Sequence, residues 1–196
     1  MWKAKSQEQL AGDYIANNPD EYSEFDKLMN ETGMKSLLNV RGPFTVFLPN
    51  NDAMLAYYKL KNVNSLDDFS DSFKSDLIRN HIINNGIPTG DFGLGALRET
   101  NALGDYVVTE FDGSEIIVNK FSRIIDRDIN TANGYIHEID KVMDPVTKDI
   151  YSLVSSDPSY KIFSDGLNIS GLKDTLQIID FPYGNKTART RFTLLA

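Results

Sequence analysis

The sequence predicts an α+β fold, and three features of its order lead there. Apolar stripes at helical spacing crowd the stretch from Pro19 to Ile83, while β-type runs and turn signals crowd the stretch from Tyr106 to Met143. A single β-rich run, Phe44 to Pro49, stands among the helices. A doubly wound parallel sheet would alternate strand and helix throughout. With 41% hydrophobic, 11% aromatic and 24% charged residues over 196 positions, the chain has globular composition and can bury one substantial core. Two full domains would be cramped in that length.

Taken in order, a polar lead from Lys3 to Gln9 enters a first helix. Asn18-Pro19-Asp20-Glu21 then reads as a helix start, with a capping residue, a first-turn proline and acids at the positive end of the helix dipole. Tyr22, Phe25, Leu28 and Met29 share one apolar stripe, which Gly33 stops. Met34, Leu37 and Leu38 make a shorter stripe, broken by Arg41-Gly42-Pro43. Phe44 to Pro49 reads as a strand buried on both faces. Asn50-Asn51-Asp52 supplies caps for a helix from Ala53 to Leu60 that turns Met54, Leu55 and Tyr58 inward. Ser65 to Phe73 and Asp76 to Ile83 are expected as two further helices. Gly86, Gly90, Gly93 and Gly95 then punctuate short segments, without the spacing of a phosphate-binding loop. The later strands expected are Tyr106 to Phe111, Glu115 to Val118, Phe121 to Ile125 and Tyr135 to Met143. Asp112-Gly113 marks a hairpin between the first two, and Asp126 to Gly134 reads as a polar turn between the last two.

Charge and residue usage exclude several function classes. Lys and Arg number 20 against 28 Asp and Glu, a formal charge of −8, which opposes phosphate-backbone binding by counterion release and excludes nucleic acid as the expected partner. The absence of cysteine removes disulfides, thiolate nucleophiles, Cys-ligated zinc and iron-sulfur clusters. A cysteine-free chain suits the cytosol and equally an exported protein that folds without disulfides. No apolar run reaches the length of a membrane span, and Met1 to Lys5 lacks the apolar core of a secretory signal, as a chain trimmed of its leader also would.

The chain also repeats itself. Tyr22, Phe25, Met29, Gly33, Met34 and Leu38 recur as Tyr160, Phe163, Leu167, Gly171, Leu172 and Leu176, separated by 138 positions in every case. Phe192-Thr193-Leu194-Leu195 mirrors Phe44-Thr45-Val46-Phe47 at an offset of 148, after a lengthened loop. The expected organisation is a complete unit over residues 1–146 and the opening helices and first strand of a second, truncated unit over residues 147–196. The natural protein is accordingly expected to be longer or to have been cleaved.

At this point the residues resemble the fasciclin (FAS1) domain family. Thr45-Val46-Phe47-Leu48-Pro49-Asn50-Asn51-Asp52-Ala53-Met54 is similar to its first motif. Leu77 to Ile83 is similar to its central motif, with Asn80 where a Tyr normally precedes His81. Asn133-Gly134-Tyr135-Ile136-His137-Glu138-Ile139-Asp140-Lys141-Val142-Met143-Asp144-Pro145 is similar to its second motif. The resemblance implies a β-wedge of mostly antiparallel strands with a layer of helices, serving as an extracellular or cell-surface adhesion module. It further implies a tandem arrangement and, in bacteria of the Bacteroidota, an outer-membrane lipoprotein held by a lipid anchor outside the given sequence.

The resemblance gives Thr45, Phe47, Pro49, Asn51, Ala53, His81, Asn133, Gly134, Ile136, His137, Asp140 and Pro145 the role of holding the fold. By this reading Asp140→Ala destabilises the domain and a change at an exposed Asp128 does not. Asp128-Ile129 matches an Asp-Ile pair that animal adhesion members carry just before the second motif, and is the candidate partner-binding pair. The rival reading of it is a plain polar turn.

No catalytic set emerges. His81 sits among Leu77, Ile78 and Ile82 and His137 among Tyr135 and Ile139, positions of packed structural histidines, and no nucleophile elbow supplies a serine. Asp126-Arg127-Asp128-Ile129-Asn130 opens like a calcium loop, but Thr131 stands where that loop needs Gly and His137 where it needs Glu. No metal or cofactor is expected. Three glycosylation sequons, at Asn30, Asn168 and Asn185, are no more than such composition produces by chance. The function expected is a non-enzymatic module that binds surface proteins or glycans, with a glycan-capture component of a polysaccharide uptake system as the alternative and a hydrolase as the disfavoured third reading.

Overall fold

A computed structural model describes residues 9–40, 42–184 and 186–195. Most of the polar lead from Lys3, Arg41 of the chain break and Asn185 of the third sequon lie outside the described residues. The chain divides into two compact units, one ending at Pro145 and one running from Val146.

The first unit opens with helices α1 (Ala11–Ala16), α2 (Pro19–Glu31) and α3 (Met34–Leu38). Tyr22, Phe25, Leu28 and Met29 are fully buried, as their spacing predicts. Asn18 occupies the cap position of α2 without capping it: its amide donates instead to Tyr14 O at 2.7 Å. The stop after α2 comes from Gly33, which takes the left-handed conformation at φ 70° that glycine adopts without steric cost.

Strand β1 (Phe44–Pro49) is buried along its whole length because it lies between two cores. Phe44, Val46 and Leu48 face the helices, and Phe47 faces a second core with Phe92, Val107, Val118 and Ile139. Helix α4 (Asn51–Lys61) follows, capped by Asn50, whose side chain accepts the Ala53 N–H at 2.9 Å. Tyr57 is buried on its inner face and Leu55 is exposed, contrary to the expected stripe.

The two helices expected next are redrawn. Ser65 caps a single 3-10 turn, Leu66–Asp68, after which Phe69 is extended and Ser70 caps a new helix, α5 (Asp71–Asn80). His81 ends α5, and Ile82–Ile83 is a strand, β2, that pairs antiparallel with Val46 and Thr45.

The remaining strands are β3 (Gly95–Thr100), β4 (Tyr106–Asp112), β5 (Glu115–Val118), β6 (Ser122–Thr131) and β7 (Gly134–Ile139). With β1 and β2 they form one sheet in the order β2-β1-β7-β6-β5-β4-β3. Only the β1–β7 pair is parallel. The α+β class with a mostly antiparallel sheet therefore holds.

The sheet departs from expectation in three places: the strand expected from Tyr135 to Met143 ends at Ile139, an expected turn is strand, and an unexpected strand begins at Gly95. The segment Asp126 to Thr131 is strand rather than turn, so the turn shrinks to Ala132 and Asn133. Its register with β7 breaks twice between Ile124 and Ile129, and Asp128 sits at φ 57°, so the period-two signal of a strand is lost. Strand β3 was hidden by its opening glycine, which supplies no apolar side chain to the pattern.

The second unit contains α6 (Ile150–Ser155), a 3-10 turn at Pro158–Tyr160, α7 (Lys161–Ile169) and α8 (Leu172–Leu176). A hairpin of β8 (Asp180–Tyr183) and β9 (Lys186–Arg189) follows. The strand expected at Phe192 to Leu195 is absent. Its counterpart β1 is held between β7 and β2, and the described part of the second unit offers only the hairpin, whose strands pair with each other.

Candidate functional site

Two of the motif residues, Thr45 of β1 and His137 of β7, converge on the segment after β2. Thr45 Oγ1 donates to Asn85 O at 2.6 Å and accepts the Ile87 N–H at 2.8 Å. Beside it on the sheet, His137 Nε2 donates to Ile87 O at 2.9 Å and its Nδ1 accepts the Asp128 N–H at 3.1 Å. Those two bonds select the neutral ring with hydrogen on Nε2. Burial pulls the His137 pKa below its ordinary value, opposed by the Ile87 carbonyl and the Asp128 carboxylate. Phe47 and Phe92 pack on the ring at 5.8 and 5.3 Å between centroids.

His81 is engaged in the same way, with the opposite tautomer. Its Nδ1 donates to Leu77 O at 2.8 Å and its Nε2 accepts the Met143 N–H at 2.9 Å. Burial holds its pKa near 4. Asn80 extends this fastening, donating to Met143 O at 2.8 Å and accepting from Asn101 at 2.7 Å.

Asn133 joins the sheet to the helical layer. Its amide donates to Leu38 O at 2.8 Å and Val40 O at 2.7 Å. Asn51 accepts the Glu24 N–H at 3.0 Å and donates to Pro19 O and Asp20 O, fixing the start of α2 on that of α4. Asp140 accepts the Arg123 N–H at 2.7 Å. Pro49, Ala53, Ile136 and Pro145 are buried. A Cβ on Gly134 would lie 1.9 Å from Phe44 O.

Asp128 and Ile129 do not share an exposed face. Ile129 turns into the helical core at 9% exposure, while Asp128, in the bulged stretch where the register with β7 breaks, stays exposed. Nor is Asp128 free of structural duty: its carboxylate accepts the Thr89 N–H at 2.7 Å and the Thr89 hydroxyl. Thr89 and Asn85 escaped sequence reasoning because their partners lie 39 and 40 positions away, with no local pattern to mark them. Glu138 could have been found, since strand alternation puts it opposite His137; it accepts from Tyr22 Oη at 2.9 Å and Asn50 Nδ2 at 3.0 Å.

The concavities of this unit include two lined by described residues. One of about 330 Å³ is lined by Asp20, Glu21, Asn50, Asn51, Asp52 and Glu138. The other, of about 550 Å³, lies between the segment after β2 and strand β3, among Asn85, Ile87, Asp91, Leu97, Arg98 and Glu99. Among the described residues no group of three or more acids and imidazoles is placed to hold a metal ion, and no helix is long and apolar enough to cross a membrane.

Transforming growth factor-beta-induced protein ig-h3 of Oryctolagus cuniculus is 25% identical over 137 residues, covering 69% of this chain and 20% of that protein. Stabilin-1 of Homo sapiens is 26% identical over 142 residues, covering 68% of this chain and 5% of that protein. The chain thus spans a fifth or less of these curated relatives. Among solved structures, a FAS1 domain pair from the insect cell adhesion molecule Fasciclin I matches 85% of this chain and 56% of that chain, with 16% identity and a TM-score of 0.43. The Fasciclin domain model matches residues 20–145, well over half of the chain, and the chain belongs to that family.

Proposed function

We propose that this chain is a non-enzymatic binding module of the extracellular space or the cell surface, engaging a protein or glycan partner. The observation that carries the reading is the double engagement of both imidazoles. Each ring has one nitrogen on a backbone carbonyl and the other on a backbone N–H, which leaves neither to activate a nucleophile. Membership of the Fasciclin domain family supports the adhesive role that the motif resemblance implies.

The test immobilises the full chain and measures attachment of cells and matrix proteins beside a glycan array. The expected outcome is saturable attachment with no turnover of ester, peptide or glycoside substrates. Array hits without attachment to protein would favour the glycan-capture alternative. Turnover that is lost in a folded His81 variant would overturn the binding reading.

We also propose that the unit from Val146 is a partial copy of the first. Tyr22 and Tyr160 both leave helical geometry, at φ −136° and −103°. Gly33 and Gly171 both take left-handed φ, 70° and 75°, ahead of five-residue helices. Alanine at either glycine is expected to cost about 1 kcal/mol of local protection against amide exchange, and a null effect at Gly171 would speak against the copy.

A further inference from the structure

Strands β2 and β3 are the two outer strands of the seven-stranded sheet. They meet where Ile83 bridges Asn101 and the Ala102 N–H donates to Ile82 O at 2.7 Å. Beyond that point they part around the cavity of about 550 Å³. The wall continuing from β2 has turned its backbone inward: Asn85 O and the Ile87 N–H are taken by Thr45, Ile87 O by His137, and the Gly86 N–H by the Asn85 side chain. The β3 wall is different. Its register with β4 breaks between Ala96 and Thr100, and its other side faces the cavity. The Asn85 amide reaches across to Glu99 Oε1 at 3.1 Å. A Cβ added at Gly93 or Gly95 would meet nothing within 4 Å, so the sheet face at the start of this strand is open.

We propose that this cleft receives an extended peptide segment, which pairs antiparallel with the outer edge of β3 and continues the sheet. An outer strand offers a row of N–H and C=O groups that another strand can complete, with side-chain pockets adding selectivity. The volume is that of a binding cavity, and the six residues of β3 give a partner about 20 Å of edge. Among the described residues no aromatic ring lines the cavity for a sugar face to stack on.

The side chains specify the partner further. Arg98 is exposed and without an ion-pair partner among the described residues, while Glu99 points to the other face with one carboxylate oxygen on Asn85. An antiparallel strand therefore matches β3 when it places a base opposite Glu99, an acid opposite Arg98 and an apolar residue opposite the buried Leu97. Read along the partner, that order is basic, acidic, apolar. The proposal rests on the reading of the chain as a binding module and names the site and the chemistry of its partner.

The test titrates the full chain with the capped peptide acetyl-Thr-Lys-Glu-Val-Thr-Val-amide and follows backbone amide signals by NMR. Saturable shifts are expected at Leu97 to Glu99 and at Asn85 to Ile87, and a backbone N-methylated form of the peptide should lose them. Arg98→Glu should weaken the peptide about fivefold, leave the melting temperature unchanged, and be rescued when the peptide's Glu becomes Lys. Absent shifts at β3, equal binding of the N-methylated form, or a soluble glycan that shifts the same amides in place of the peptide would overturn the proposal. Attachment that neither Arg98→Glu nor excess peptide alters would reject the cleft and leave the binding-module reading standing. Peptide binding without any attachment would do the reverse.

Discussion

The Asn133 side-chain oxygen accepts the Ala11 N–H at 2.8 Å, joining positions 122 apart in sequence. Since the same side chain also donates to Leu38 O and Val40 O, one amide closes the start of α1 and the end of α3 onto the turn between β6 and β7. Asn133→Ala leaves three backbone groups without that partner. Its expected cost is about 3 kcal/mol, read as a lower urea midpoint with unchanged slope. A midpoint equal to wild type would remove Asn133 from the residues that hold the fold.

Asp128 should matter for stability despite its exposure, against the sequence-based expectation. It combines a left-handed φ of 57° with a carboxylate that holds Thr89. Asp128→Ala meets both penalties, the backbone one of about 1 kcal/mol and the lost hydrogen bonds of about 1 kcal/mol each. Asp128→Gly relieves the first alone, and Asp128→Asn keeps a side-chain acceptor and a residue type that tolerates the left-handed region. Melting temperatures should therefore fall in the order wild type, Asn, Gly, Ala. Indistinguishable Gly and Ala variants would mean that backbone conformation plays no part.

The elements that sequence made legible are those whose signal is local. The stripe of Tyr22, Phe25, Leu28 and Met29, the Asp112-Gly113 hairpin and the all-apolar β1 each announce themselves within a few residues. What stayed hidden depends on distant partners. Strand β6 is polar and bulged, so only its pairing with β7 reveals it, and β3 is defined by β4. At the site, motif spacing marked Thr45, His81, Asn133 and His137, whereas Asn85 and Thr89, the groups they fasten directly or through Asp128, have no pattern of their own. The cavity beside β3 could not be foreseen, since it arises from two outer strands that touch once and then diverge.

Gly134→Ala should abolish folding of the first unit rather than merely weaken it. The residue sits at φ 143° and opposite Phe44 in the parallel β1–β7 pair, where a methyl group would overlap the Phe44 carbonyl. Neither strand can retreat, because β1 is buried on both faces. Loss of dispersed amide signals in the variant is the expected result. A dispersed spectrum with a melting temperature within a few degrees of wild type would show that the two strands can separate without cost.

Stability should fall in mild acid because of His81. Its pKa is about 4 in the folded chain against an ordinary 6.5, with burial as the main cause. Between those values the unfolded chain takes up a proton that the folded chain refuses, so stability is full above about pH 6.5 and declines as pH drops towards 4. The gap corresponds to about 3 kcal/mol. The geometry gives the same sign, since a proton on Nε2 would face the Met143 N–H, which now donates to that nitrogen. His137 adds to the decline, because burial lowers its pKa too. The check is urea unfolding from pH 7 to pH 4 for wild type and His81→Gln. The variant, less stable at pH 7, should lose less on acidification by up to the His81 share, which separates that share from the carboxylates common to both. Parallel stability curves would assign the acid sensitivity to other groups.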